Sequence, residues 1–326
     1  MQGKIALEEH FAVEATLGDS KVFGAQVWDA LGPRLLDIQD MRLAEMDKYG
    51  VEMMILSLNA PAVQAIPDVK RAIDVAREAN DLLAEAVRKR PARFAAFAAL
   101  PMQDPEAAVA ELTRCVKELG FVGALVNGFS QAGTPDTALY YDLPRYRPFW
   151  HACERLGVPF YLHPRNPLPS WSRVYEGHNW MLGPNWAFAA ETSAHALRLI
   201  GSGLFDECPN LQIVLGHLGE GIPVQLWRID GRNGWMKERH RYAAQHGVGH
   251  YFRKHFHVTT SGNFHTASLV NVMSELGPER VMFSVDWPFE DVGEGCKWFD
   301  QAQIGDADRA KIGRDNAIKL FKLKLV

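Results

Sequence analysis

Short apolar runs rich in strand-forming residues recur along the chain, separated by longer stretches in which apolar positions return at helical spacing. Eight such runs stand out, at residues 4–8, 53–58, 94–100, 122–126, 158–162, 212–215, 257–260 and 280–285. Each predicts a strand. Between them, the segment 68–90 places Val69, Ile73, Ala76, Leu83 and Val87 on one helical face. Segments 105–119 and 148–156 read the same way, each opening with a proline in the first turn, where its missing N–H is no loss. Strand and helix alternating eight times is the sequence form of a (β/α)8 TIM barrel. A doubly wound open sheet is the competing architecture. Neither the G-x-G-x-x-G turn nor the Walker A loop that would favour it occurs. With no repeat, low-complexity tract or linker in view, residues 1–326 are expected to form one barrel domain with long active-site loops.

Two connections exceed what a minimal barrel needs. Residues 164–186 follow the fifth strand and are rich in Pro, Asn and Trp, including Trp171, Trp180 and Trp186. Long ordered loops of this kind serve as lids or binding loops. Residues 219–246 form a polar, helix-like segment carrying Trp227, Arg228, Asn233 and Trp235. It reads equally as a surface helix or as a contact between subunits, where Trp and Arg are favoured.

Composition changes the picture mainly by exclusion. A chain of 326 residues with 47% hydrophobic residues has enough core to need no covalent staples. A formal net charge of −4 argues against nucleic acid or an anionic membrane as the main partner. The four cysteines, Cys115, Cys153, Cys208 and Cys296, include no C-x-x-C pair. That spacing argues against a disulfide framework and against a thiolate zinc site, and fits a reducing cytoplasm. The opening MQGKIALEEH lacks the basic and apolar regions of a signal peptide. No stretch approaches the roughly 20 apolar residues that span a bilayer, so a cytoplasmic protein is expected.

Barrels do their chemistry where strands end, at the C-terminal face. The first strand ends in Glu8-Glu9-His10, with Glu8 and His10 two apart and so on one side of an extended chain. The fifth run is followed by His163, the sixth by His217 and the eighth by Asp286. Taken singly, each has an ordinary structural explanation as a hydrogen-bonded histidine or a capping carboxylate. Together they put polar groups of ligand or acid/base type at four strand ends. Glu8, His10, His163 and Asp286 make a two-imidazole, two-carboxylate set suited to a borderline divalent ion such as Zn²⁺ or Mn²⁺. Glu220 follows His217 by three residues, on the same face if a helix starts there, and could orient its ring, making His217 an acid/base or substrate-binding group, or simply half of a structural pair. No motif for an organic cofactor is present.

The runs IALEEHF, FYLHPRNP, LGHLGEGIP and FSVDWPFE, in that order, resemble the amidohydrolase superfamily. Within it the chain resembles the non-oxidative aromatic acid decarboxylases, most nearly those acting on γ-resorcylate (2,6-dihydroxybenzoate). The resemblance implies one divalent ion per subunit held by Glu8, His10, His163 and Asp286, and a homotetramer. It also implies a catalytic His217 supported by Glu220 and a small aromatic acid as substrate. A carboxyl group beside the metal can switch between ligation and proton transfer, so Asp286 is the first choice of proton donor to the ring, a role His217 could share. It further suggests Phe23 packing on that ring, with Arg228 and Asn233 reaching the substrate from a neighbouring subunit. Many members open with H-x-H where this chain has Glu8-x-His10, a departure that favours the decarboxylase branch. A metal-dependent lactone or amide hydrolase on the same scaffold is the alternative activity.

Overall fold

In the computed structural model, residues 1–23, 27–236 and 242–325 are described, without the side chains of residues 22, 23 and 236. Among the described residues there are ten strands: β1 (Lys4–Phe11), β2 (Val51–Leu58), β3 (Phe94–Ala98), β4 (Gly123–Asn127), β5 (Ser130–Ala132), β6 (Thr134–Leu139), β7 (Phe160–His163), β8 (Ile213–Leu215), β9 (Phe256–Thr259) and β10 (Val281–Met282). Eight of them form one parallel sheet in the order β1-β2-β3-β4-β7-β8-β9-β10. The small antiparallel hairpin β5–β6, not anticipated from the sequence, stands outside it.

The eight strands curl into a nearly closed barrel. The seam between β10 and β1 is joined largely by side chains. The Ser284 hydroxyl accepts from both the Leu7 and Glu8 amides, at 3.0 and 2.7 Å. The Glu9 carboxylate accepts from the Val285 and Trp287 amides, and the His10 amide donates to the Trp287 carbonyl at 2.7 Å. The eighth predicted run, 280–285, therefore contributes only two residues of regular ladder before these groups take over.

The β1–β2 register slips between Ala6 and Glu9, three residues of β1 matching two of β2. Such a bulge reverses the inward–outward alternation. Ile5 and Leu7 belong to the apolar barrel interior with Met53, Ile55, Phe97, Leu125, Tyr161, Val214 and Met282. Beyond the bulge Glu8 reaches the interior Tyr161 hydroxyl, while Glu9 turns outward to the seam. Phe321, near the chain's end, closes the floor of that interior against Phe97, their ring centroids 5.2 Å apart.

The predicted helices form close to their expected limits. Val69–Lys89 is capped by the Asp68 carboxylate, which accepts from the Arg71 amide. Pro105–Lys117 is capped by Asp104, and Arg147–Leu156 ends at the left-handed Gly157. The connection 164–186 folds into four single turns rather than a regular element. Part of the segment 219–246 becomes the helix Ile222–Met236. Among the described residues, no helix is long and apolar enough to cross a membrane.

Candidate metal centre and active site

Glu8, His10, His163 and Asp286 converge at the C-terminal end of the barrel, and one ligand atom from each lies within 4.8 Å of all the others. His163 Nε2 sits 3.1 Å from Glu8 Oε1, and His10 Nε2 sits 3.2 Å from Asp286 Oδ1. Glu8 and His10 are fully buried and His163 nearly so. Yet Glu8 Oε1, His10 Nε2 and Asp286 Oδ1 are sealed from solvent with no hydrogen-bond partner of proper geometry. Buried polar atoms left unmatched cost free energy, so several of them facing one point call for an occupant. Two imidazoles and two carboxylates around that point fit a divalent cation.

Hydrogen bonds around the four groups fix which atoms face inward. Glu8 Oε2 accepts from the hydroxyls of Tyr161 and Ser261, with Thr259 Oγ1 at 3.4 Å, leaving Oε1 to face the imidazoles. Tyr161 lies two residues before His163, so the period of β7 aims both into the barrel. His10 Nδ1 bonds Ser57 Oγ at 3.2 Å, and with Nδ1 as donor the lone pair of Nε2 points to the centre. Glu9, on the opposite side of β1, brackets Asp286 by accepting from the amides on either side of it. Arg42 donates to the His10 carbonyl, and its guanidinium lies 4.1 Å over the Trp287 ring. None of Glu9, Arg42, Tyr161, Thr259 or Ser261 was anticipated from the sequence. Strand period alone would have flagged Tyr161; the rest need contacts between distant segments. Gln at position 9 places an N–H against an amide donor, and outer partners of this kind govern metal affinity by roughly 10–100-fold. A drop of that size in Glu9→Gln is therefore expected, read by competition with a chelator of known affinity.

Backbone strain is concentrated beside these groups. Five consecutive residues, His217, Leu218, Gly219, Glu220 and Gly221, have positive φ (52, 58, 84, 54 and 78°), and Asp286 has φ 85°. Non-glycine residues in this region cost on the order of 1–3 kcal/mol each and persist where surroundings impose them. The Leu218 amide is held by the Thr259 carbonyl at 2.8 Å and the His217 amide by Ser261 Oγ at 3.2 Å. Gly216 is required by contact, since a Cβ there would fall 2.6 Å from Glu8 Oε2.

His217 Nδ1 lies 2.6 Å from Glu220 Oε1. Its Nε2 faces Glu8 Oε1 and Asp286 Oδ2, each at 3.6 Å, a gap rather than a bond. Burial opposes a charge on this ring, but the Glu220 and Glu8 carboxylates together push its pKa well above the ordinary value. For His163 burial wins and lowers the pKa, favouring the neutral imidazole that a metal takes. Burial would raise the Glu8 carboxyl, yet the His217, His163 and His10 imidazoles hold it well below the usual carboxylate range.

His163, His217 and Asp286 line a cavity of about 400 Å³, in the range of small-molecule sites. Its apolar walls come from Ala30, Leu31, Phe188, Pro288 and Phe289, with Arg34 and Glu290 as further charged groups. Burial raises the Glu290 carboxyl to about 7, with Asp286 and Glu294 adding to the shift. The connection 164–186 meets the pocket through Pro164 and Pro184, while Trp171, Trp180 and Trp186 stand exposed. Arg228 is exposed and Asn233 half-buried on the helix Ile222–Met236, and neither lines the cavity of its own chain. The Phe23 side chain lies outside the described residues.

Residues 10–323 match the amidohydrolase family. The chain is 65% identical to the γ-resorcylate decarboxylase of Rhodococcus jostii (strain RHA1), over 99% of each sequence. Its structure superposes on that of a 2,6-dihydroxybenzoate decarboxylase complexed with 2,6-dihydroxybenzoate, with TM-score 0.97, 62% identity and coverage of 99% and 100%. It superposes equally on the Polaromonas sp. JS666 dihydroxybenzoic acid decarboxylase with bound manganese and the inhibitor 2-nitroresorcinol, at TM-score 0.97, 60% identity and coverage of 99% and 98%. The chain belongs to the amidohydrolase family, in its branch of aromatic acid decarboxylases.

Proposed function

We propose that this chain catalyses the reversible, non-oxidative decarboxylation of 2,6-dihydroxybenzoate to resorcinol and CO₂. The observation that carries the reading is the buried, unmatched set Glu8 Oε1, His10 Nε2 and Asp286 Oδ1, beneath a cavity of about 400 Å³ that His163, His217 and Asp286 line. It is supported by 60–65% identity to γ-resorcylate decarboxylases.

Direct loss of CO₂ from a benzoate would leave a carbanion orthogonal to the ring π-system. An ortho hydroxyl opens another route, in which the ring carbon bearing the carboxylate is protonated first. Glu8, His10, His163 and Asp286 would hold a divalent ion, Mn²⁺ or Zn²⁺, which would supply Lewis acidity and lower the phenol's pKa. Asp286 takes up the phenol's proton and delivers it to that ring carbon. The carboxylate then leaves as CO₂, its bonding pair restoring the aromatic ring. The product phenolate regains a proton from water, so one proton is consumed overall. His217, kept cationic by Glu220, donates from Nε2 to a substrate oxygen in the gap between Glu8 and Asp286. Leu31, Phe188 and Phe289 exclude water and pack on the ring.

The exposed Trp227 and Trp235, 86% and 81% accessible, favour contact of the helix Ile222–Met236 with another copy. We assign the chain to a cytoplasmic homotetramer in which Arg228 and Asn233 serve a neighbour's site and Phe23 packs on the bound ring. A panel of benzoates tests the chemistry. CO₂ is expected only from members with a hydroxyl ortho to the carboxylate, and release from benzoate itself would overturn the ring-protonation route. Removing the Glu220 charge should lower the His217 pKa. A nearby opposite charge shifts a pKa by roughly 1–3 units. Since the working imidazolium is lost as pH rises, the alkaline limb of the kcat profile of Glu220→Gln should move down by about that amount. A profile that does not move would remove His217 from the reaction.

A further inference from the structure

A second group of ligand-type side chains lies at the other end of the barrel. His151 and Glu154 share a face of the helix Arg147–Leu156, and Cys208 follows the turn Leu204–Glu207 just before β8. One ligand atom from each lies within 4.8 Å of the other two. His151 Nδ1 is 3.4 Å from Cys208 Sγ. Bond lengths of about 2.3 Å to sulfur and 2.0–2.1 Å to nitrogen put tetrahedral zinc ligands about 3.5 Å apart, so this pair already has the spacing of two ligands on one ion. Glu154 Oε1 accepts from the Asn210 amide at 2.7 Å, which orients the carboxylate and leaves its other oxygen available. Glu154 and Asn210 also line a cavity of about 440 Å³, which reaches the group from the Glu154 side.

We propose that His151, Glu154 and Cys208 form a second metal site, selective for a thiophilic divalent ion such as Zn²⁺ and separate from the catalytic centre. The sequence argued against thiolate zinc because no cysteines are neighbours along the chain. The fold instead supplies a single cysteine to a histidine and a carboxylate from another element. Thiolate and imidazole favour Zn²⁺ over Mn²⁺, whereas the catalytic set contains no sulfur, so the two sites sort metals by ligand softness. The ion would tie the helix Arg147–Leu156 to the segment leading into β8. Burial holds the Cys208 thiol up at about 11, with Glu154 and Glu207 adding to the shift.

Co²⁺ separates the sites by spectroscopy, because thiolate-to-cobalt charge transfer absorbs in the near ultraviolet and nitrogen–oxygen ligation does not. Protein preloaded with Mn²⁺ and titrated with Co²⁺ should develop that band to one equivalent per chain, and Zn²⁺ should abolish it. Cys208→Ser and His151→Ala should both lack the band while turning over 2,6-dihydroxybenzoate at the wild-type rate in saturating Mn²⁺. Should Cys208→Ser fold poorly, the half-buried His151→Ala decides alone. A wild-type protein without the band, or a band that survives in His151→Ala, overturns the site and leaves the proposed decarboxylation untouched.

Discussion

Asp286→Asn should lower kcat for 2,6-dihydroxybenzoate by roughly 10²–10⁴-fold, the span expected for loss of a positioned proton-transfer group. Asp286 occupies a strained conformation, φ 85°, that sets its two oxygens in different surroundings. Oδ1 faces His10 Nε2 at 3.2 Å, and Oδ2 faces His217 Nε2 at 3.6 Å. Asparagine keeps the shape and one ligating oxygen but cannot carry the proton to the ring. Neighbouring restraints survive, because Glu9 holds the chain through the amides of Val285 and Trp287 rather than through the Asp286 side chain. The comparison is made at saturating Mn²⁺ with bound metal quantified, so that weakened ligation is not mistaken for lost chemistry. Near-normal turnover with metal in place would contradict the proton-donor role.

Glu8→Gln should act through the metal instead. The carboxylate is shared between two tasks, Oε2 taking bonds from Tyr161 and Ser261 while Oε1 faces the imidazoles. A neutral amide keeps the fold, since hydroxyls can turn to donate or accept. It withdraws the negative charge from a fully buried centre holding three imidazoles. Losing an outer-shell partner costs about 10–100-fold in metal affinity, and losing a charged ligand should exceed that range. In chelator-buffered Mn²⁺, kcat/KM should fall by more than ~100-fold and recover in part as free Mn²⁺ is raised. Unchanged affinity would remove Glu8 from the ligand set.

The barrel was legible in the sequence because each strand is a short apolar run and each helix an amphipathic one. The candidate site was legible because barrel strands end at one face, so Glu8, His10, His163, His217 and Asp286 could be read off the strand ends without knowing their distances. What escaped depends on contacts between distant segments. Ser284 and Glu9 take over the seam where β10 stops, and no local pattern distinguishes a serine or glutamate with that task from one facing water. The β1 bulge that turns Glu8 inward after Leu7 is a register event, visible only against β2. The 164–186 connection was legible as a binding loop, but not that Pro164 and Pro184 rather than its tryptophans would line the cavity. Cys208 was discounted by its sequence spacing and gains its partners from a helix more than fifty residues earlier.

The most direct test is CO₂ release from 2,6-dihydroxybenzoate by purified protein, with the product identified, before and after removal of bound metal. Stoichiometric resorcinol and CO₂, abolished by chelation and restored by Mn²⁺, is the predicted result. A fully metal-loaded protein that releases no CO₂ from this substrate would contradict the proposal and direct attention to hydrolysis of a lactone or amide.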